Sequence, residues 1–147
     1  MPSQSEEITR LTTFQAGLIQ SRAHRALNVA MSQWLAQFEI NINEWALMGL
    51  LIAERTGRPN QLAQALGVSA PMGTKLINKL EERGLVTRRS TKEDGREVLV
   101  SLTQTGLEMT CDIEGVVRSQ MRQYLAGVDD AHLKGYLNVL AFLAEKP

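Results

Sequence analysis

Lys75, Asn78 and Lys79 lie three and four residues apart, with Thr74 next to the first of them, in a stretch of helical periodicity. At ~100° per residue, Pro71, Lys75, Asn78 and Glu82 share one side, flanked by Met72, Thr74 and Lys79. Gly73, Leu76, Ile77 and Leu80 fall on the other side. A few residues on, the run RRSTKEDGREVLV (88–100) carries Arg88, Arg89, Lys92 and Arg96 around a glycine. Ammonium, amide and guanidinium donors on one helix face, beside a basic projecting segment, suit an acceptor-rich polyanion. A polar face is equally what a solvated surface helix shows, so the surrounding elements have to decide between the two readings.

Those elements are punctuated clearly. Ser69 reads as the N-cap of the helix carrying Lys75 and Asn78, Ala70 and Pro71 fill its first turn, and Gly84 closes it, with Leu85 folding back onto Leu80 or Glu81. The preceding segment RPNQLAQALG gives a short helix from Pro59 to Gly67 with Leu62, Ala63 and Leu66 inward. Two short helices joined by a Gly-containing turn form a helix-turn-helix. LVTRRST and REVLVSL, the β-rich runs, flank KEDG and read as an antiparallel hairpin directly afterwards. Upstream, Asn41 and Glu44 form a capping box opening a helix that is expected to stop at Gly57. Outside this middle lie long amphipathic helices over 5–37 and 103–145; the last aligns Leu133, Tyr136, Leu137, Leu140 and Leu143. The expected fold class is mainly α (α+β): a winged helix-turn-helix over 41–102 inside a single domain of 1–147, flanked by long N- and C-terminal dimerisation helices.

The charge distribution agrees. The 147 residues carry 16 Lys and Arg against 16 Asp and Glu. Residues 54–97 hold nine of those bases and six of the acids, so a net +3 sits between ends that together carry −3. Segregated charge of this kind matters more for phosphate contact than the total. With two histidines and one cysteine no metal site is expected, and no cofactor. No phosphate loop or nucleophile–base set points to an enzyme. No apolar run reaches the ~18 residues of a membrane span. The N-terminus lacks a secretory signal, and a single cysteine suits a reducing cytoplasm, the expected location.

The order Leu62-Ala63, Gly67-Val68-Ser69, Leu80-Glu81, Gly84-Leu85-Val86, Arg88, Asp94-Gly95-Arg96, Leu102-Thr103 resembles the core of the MarR family of bacterial winged-helix regulators. The resemblance implies a homodimer in which the terminal helices interlock. It also implies duplex DNA as partner, a ligand-responsive repressor, and a small aromatic or phenolic effector. Two-fold symmetry then calls for a pseudo-palindromic operator with half-sites about one helical turn apart. The DNA-contacting set is expected to be Ser69, Ala70, Pro71, Met72, Thr74, Lys75, Asn78, Lys79, Arg88, Lys92 and Arg96. In that set Lys75 would meet guanine, Asn78 adenine, and Lys79, Arg83 and Arg88 the phosphates. Asp94 and Gly95 would support the wing, Asp94 by pairing with the neighbouring arginine. The sequence departs from the family pattern at Ala70, Met72 and Gly73, where a glycine inside the helix points to close packing. It departs again at Gly95, which leaves Arg96 for the minor groove. The rival reading is a winged helix that binds protein and not DNA; the basic residues of helix and wing argue against it.

His24, Trp34, Trp45 and Met48 are the candidates to line an effector pocket, with a packed or solvated histidine as the plainer account of His24. Cys111 reads as a packed apolar residue rather than a redox sensor, since the family's sensing cysteines stand in the first helix. His132 reads as a solvated first-turn residue, and the six methionines as dimer core.

Overall fold

The computed structural model describes residues 13–91, 93 and 95–147. In chain order it has α1 (Thr13–Leu35), a 3-10 turn (Ala36–Phe38), α2 (Ile42–Glu54), β1 (Thr56–Gly57), α3 (Pro59–Leu66), α4 (Ala70–Glu82), β2 (Val86–Ser90), β3 (Val98–Leu102), α5 (Gln104–Tyr124) and α6 (Asp130–Ala144). The expected start of the first helix, residues 5–12, lies outside the described residues.

Local chemistry sets most of these boundaries. Asn41 Oδ1 accepts the Glu44 N–H at 2.8 Å, and Glu44 Oε2 accepts the Asn41 N–H at 2.9 Å, so the capping box at α2 is complete. Ser69 Oγ accepts the Met72 N–H and starts α4. At its other end the Leu85 N–H reaches Leu80 O at 3.0 Å and the Gly84 N–H reaches Glu81 O at 2.9 Å, a Schellman close that needs Gly84 at φ 71°.

Gly57 corrects the sequence reading. α2 ends already at Glu54, and its C-cap is Arg55 at φ 67°. Gly57 instead lies in a two-residue strand, β1, that pairs antiparallel with β3 (Thr56 with Ser101, Gly57 with Val100). A Cβ at Gly57 would lie 2.5 Å from Leu62 Cδ2 and push that side chain aside, so the glycine serves close approach and does not stop a helix. The sheet therefore has three strands, in the order β1-β3-β2, where the sequence suggested a plain hairpin. β2 and β3 pair from Val86 with Leu102 out to Ser90 with Val98, and Gly95 at φ 68° sits in the tip.

The core is built under α4. Leu47, Met48, Leu51, Leu62, Leu76, Ile77, Leu80, Leu85, Val86 and Val100 are buried together, closed by Leu35 and Ile40 from one side and Ile113 and Val117 of α5 from the other. Two glycines let backbones come close. A Cβ at Gly73 would stand 2.6 Å from Ala63 Cβ, which fixes the crossing of α3 and α4. At Gly106 it would meet Leu85 O at 1.9 Å, where Thr103 ties α5 to the lobe through Thr103 Oγ1 to Gly84 O (2.6 Å). Farther from the lobe the apolar faces are bare: α6 buries no residue, and Leu18, Ile19, Tyr136, Leu137, Val139, Phe142 and Leu143 are exposed. Among the described residues no helix is long and apolar enough to cross a membrane.

Candidate nucleic-acid interface

α4 meets the core through Gly73, Leu76, Ile77 and Leu80. The same spacing leaves Ser69, Ala70, Pro71, Met72, Thr74, Lys75, Asn78 and Lys79 exposed. Thr74 Oγ1 donates to Ala70 O at 3.1 Å, so its methyl group and lone pairs are what it offers outward. Asn78 is held from behind. Arg88, leaving β2 beside it, donates through Nη2 to Asn78 Oδ1 at 2.5 Å and through Nη1 to Glu81 Oε1 at 2.7 Å. The Arg88 N–H adds a bond to Glu81 Oε2 at 3.2 Å.

Like Arg88, the other two cations expected at phosphate are engaged within the protein. Lys79 Nζ lies 2.7 Å from Glu44 Oε1, whose side chain is fully buried at the start of α2. Arg83 donates to Glu39 O at 2.7 Å and to Phe38 O at 3.0 Å, where Glu39 turns left-handed at φ 55° and leaves carbonyls to be satisfied. Lys79 therefore braces α4 against the first turn of α2, and Arg83 braces its end against the segment before α2. Lys75 makes no ion pair among the described residues.

The wing stands beside this face. Arg96 is exposed at its distal end, and Glu97 bonds Thr91 Oγ1 (3.0 Å) and pairs with Arg58, the residue before α3. Arg58, Pro59, Asn60 and Gln61 together with Arg96 and Glu97 line a groove between the start of α3 and the wing. Sequence reasoning passed over this groove, although the Pro59 helix start next to Arg58 was a visible signal. Lys92 and Asp94, and with them the expected Asp94 pair, lie outside the described residues.

The four effector-pocket candidates are not brought together. His24 stands ten residues before Trp34 on α1, about 15 Å along the axis, and its ring bonds Asn28 at 3.1 Å. It lines a cleft with Ile19, Leu27, Tyr136, Val139 and Leu143. Met48 is wholly buried in the core. Trp34 makes an edge-to-face contact with Tyr124 at 5.6 Å. Trp45 opens on a separate cavity of about 520 Å³, walled by Val117, Met121, Leu125 and Leu133 and rimmed by Arg118, Arg122, Glu114 and Asp130, with Arg118 paired to Glu114 at 2.7 Å. Cys111, expected to be packed, is exposed on α5.

A capped helix with a polar outer face, a preceding helix fixed at a glycine crossing, and a basic hairpin at its side together make a winged helix-turn-helix. Residues 40–98, the same lobe, match the model of the MarR family. This chain carries a MarR-family winged helix. Its fold recurs over nearly the whole length in solved structures. A MarR-family transcriptional regulator from Rhodococcus sp. RHA1 is 22% identical with a TM-score of 0.82, over 92% of this chain and 96% of that one. CouR from Rhodococcus jostii RHA1, bound to p-coumaroyl-CoA, is 22% identical with a TM-score of 0.79, over 88% and 91%. NadR in complex with 4-hydroxyphenylacetate is 27% identical with a TM-score of 0.75, over the full length of both chains. The MarR-type lobe thus has the long α1, α5 and α6 that the sequence assigned around it.

Proposed function

We propose that the chain is a homodimeric, ligand-responsive transcription regulator that represses by binding a pseudo-palindromic DNA operator. The observation that carries this reading is the exposed row of Ala70, Pro71, Thr74, Lys75 and Asn78 on α4, with the wing and Arg96 rising beside it. α4 enters the major groove N-terminus first, where the positive end of its dipole and the Ser69 hydroxyl favour phosphate. Lys75 reaches base acceptors and Thr74 and Met72 supply apolar contacts to thymine methyl groups. Arg96 reaches the minor groove, and the Arg58–Asn60–Gln61 edge beside it takes the phosphate backbone.

The bare apolar faces of α1 and α6 support the dimer, because exposed apolar area of this extent marks an interface. The two-fold places two α4 helices about one DNA turn apart. The cavity beside Trp45 is the effector site in this reading, sized and walled for a small aromatic acid, with Arg122 for its carboxylate while Arg118 pairs with Glu114. Trp45 follows Glu44 in the first turn of α2, and Glu44 anchors Lys79 of α4, so an occupant that shifts the start of α2 also shifts the DNA-reading helix. Relatives of this fold holding p-coumaroyl-CoA and 4-hydroxyphenylacetate support the ligand class. The chain is read as a cytoplasmic, non-enzymatic protein.

Selection of bound fragments from genomic DNA by the purified chain tests the reading. Enrichment of a palindrome with half-sites about one turn apart is expected, and it should be lost on adding phenolic carboxylates. Failure to enrich any sequence would turn the assignment to a protein-binding winged helix.

A further inference from the structure

The bonds around Arg88 carry a consequence for what Asn78 reads. Arginine has only donors. The Arg88 Nη2 at 2.5 Å therefore fixes the carbonyl oxygen of Asn78 toward β2 and leaves its NH2 group for the exposed side of α4. Glu81 holds the guanidinium in place with one oxygen on Nη1 and the other on the Arg88 N–H. The Arg88 side chain is only 27% exposed, and such charge-assisted bonds strengthen as water is excluded. Asn78 and Glu81 lie three residues apart on α4, so one side chain from the wing clamps both.

We propose that Arg88 is a specificity-determining positioning residue that makes Asn78 a donor-only reader, selecting guanine over adenine at the base it meets. This rests on the reading that α4 lies in the major groove. An unconstrained asparagine recognises adenine with both of its groups, accepting from N6 and donating to N7. With its oxygen turned toward Arg88, the amide does not present both groups to the edge of one adenine, and that pair is lost. Guanine offers the NH2 group two acceptors, N7 and O6, against one from adenine (N7, beside its own amino donor) and one from thymine (O4, beside its methyl), and cytosine presents an amino donor and is excluded. The charge of Arg88, assigned to phosphate from the sequence, is instead spent inside the protein.

The test is selection of bound duplexes from a pool with a randomised operator, using the full-length chain and three variants. For the wild type, one position per half-site should prefer guanine by about tenfold or more. Asn78→Ala should flatten that position alone and so identify it. Arg88→Met should release the oxygen and move that position from guanine toward adenine. Asn78→Asp keeps the pair with Arg88, so its melting temperature should stay near wild type while the guanine preference is lost. Guanine preference surviving in Arg88→Met, an adenine preference in the wild type, or an operator indifferent to Asn78 would each overturn the clamp and leave DNA binding standing. A wild-type chain that enriches no sequence would overturn both.

Discussion

Lys79 Nζ stands 2.7 Å from Glu44 Oε1, and that carboxylate is completely buried while the lysine remains half in water. The buried oxygen takes its counter-charge from the DNA-reading helix but no hydrogen bond, and the other oxygen of the carboxylate closes the capping box of α2. The start of α2 and the middle of α4 are therefore one electrostatic unit. Replacing Lys79 with Met leaves a buried charge without its counterion, and should lower unfolding free energy by about 1–3 kcal/mol in urea titrations. Glu44→Gln in the same background should recover part of that loss. The salt dependence of DNA binding should not change in Lys79→Met, because the lysine serves the fold and not a phosphate.

Gly73→Ala gains helix propensity worth roughly 1 kcal/mol, yet places a methyl 2.6 Å from Ala63 Cβ. The steric term wins at that distance. The variant should unfold at lower urea concentration and bind DNA more weakly, since α4 must lift off α3. Adding Ala63→Gly should restore both; a double variant no better than Gly73→Ala would show that the two methyl groups do not meet.

Gly106→Ala is the harsher change. Its methyl would sit 1.9 Å from Leu85 O, a backbone atom that also accepts the Thr103 N–H at 3.0 Å. No flexible side chain absorbs that overlap, so the junction of α5 with the lobe must open. A loss of at least about 3 kcal/mol, read by thermal unfolding, is expected.

The tryptophans report on the cavity. The chain has two, Trp34 and Trp45, and only Trp45 lines the space framed by Met121 and Leu133. Binding of a phenolic carboxylate should quench the fluorescence of the wild type saturably. Trp34→Phe should keep that response and Trp45→Phe should lose it; the reverse pattern would move the effector site to α1.

What could be read from sequence was what is decided within a few residues. The Asn41–Glu44 box, the Ser69 cap and the Gly84 close each need only a turn of chain, and they set α2 and α4 where the residue types indicated. The amphipathic period of α4 likewise separated Leu76, Ile77 and Leu80 from Thr74, Lys75 and Asn78. What failed was set at long range. β1 is two residues long and exists only because β3 pairs with it, so Thr56-Gly57 carries no strand signal of its own. Gly57 resembles a helix stop in sequence, and only the nearness of Leu62 reveals its role. Arg83, Arg88 and Lys79 looked interchangeable as surface cations. Their acceptors are Phe38 and Glu39, Asn78 and Glu81, and Glu44, on elements that only the fold brings near. The pocket residues were grouped by type, and α1 then separates His24 from Trp34 by about 15 Å.

The central claim, that α4 and the wing form a DNA surface, is tested most directly by the salt dependence of affinity for the selected duplex, wild type beside Arg96→Ala. Fluorescence anisotropy from roughly 50 to 200 mM salt should show log affinity falling linearly and steeply with log salt. Arg96→Ala should bind more weakly at every salt concentration, with a slope shallower by about one. Affinity indifferent to salt, or an Arg96→Ala line that coincides with the wild type, would contradict the assignment.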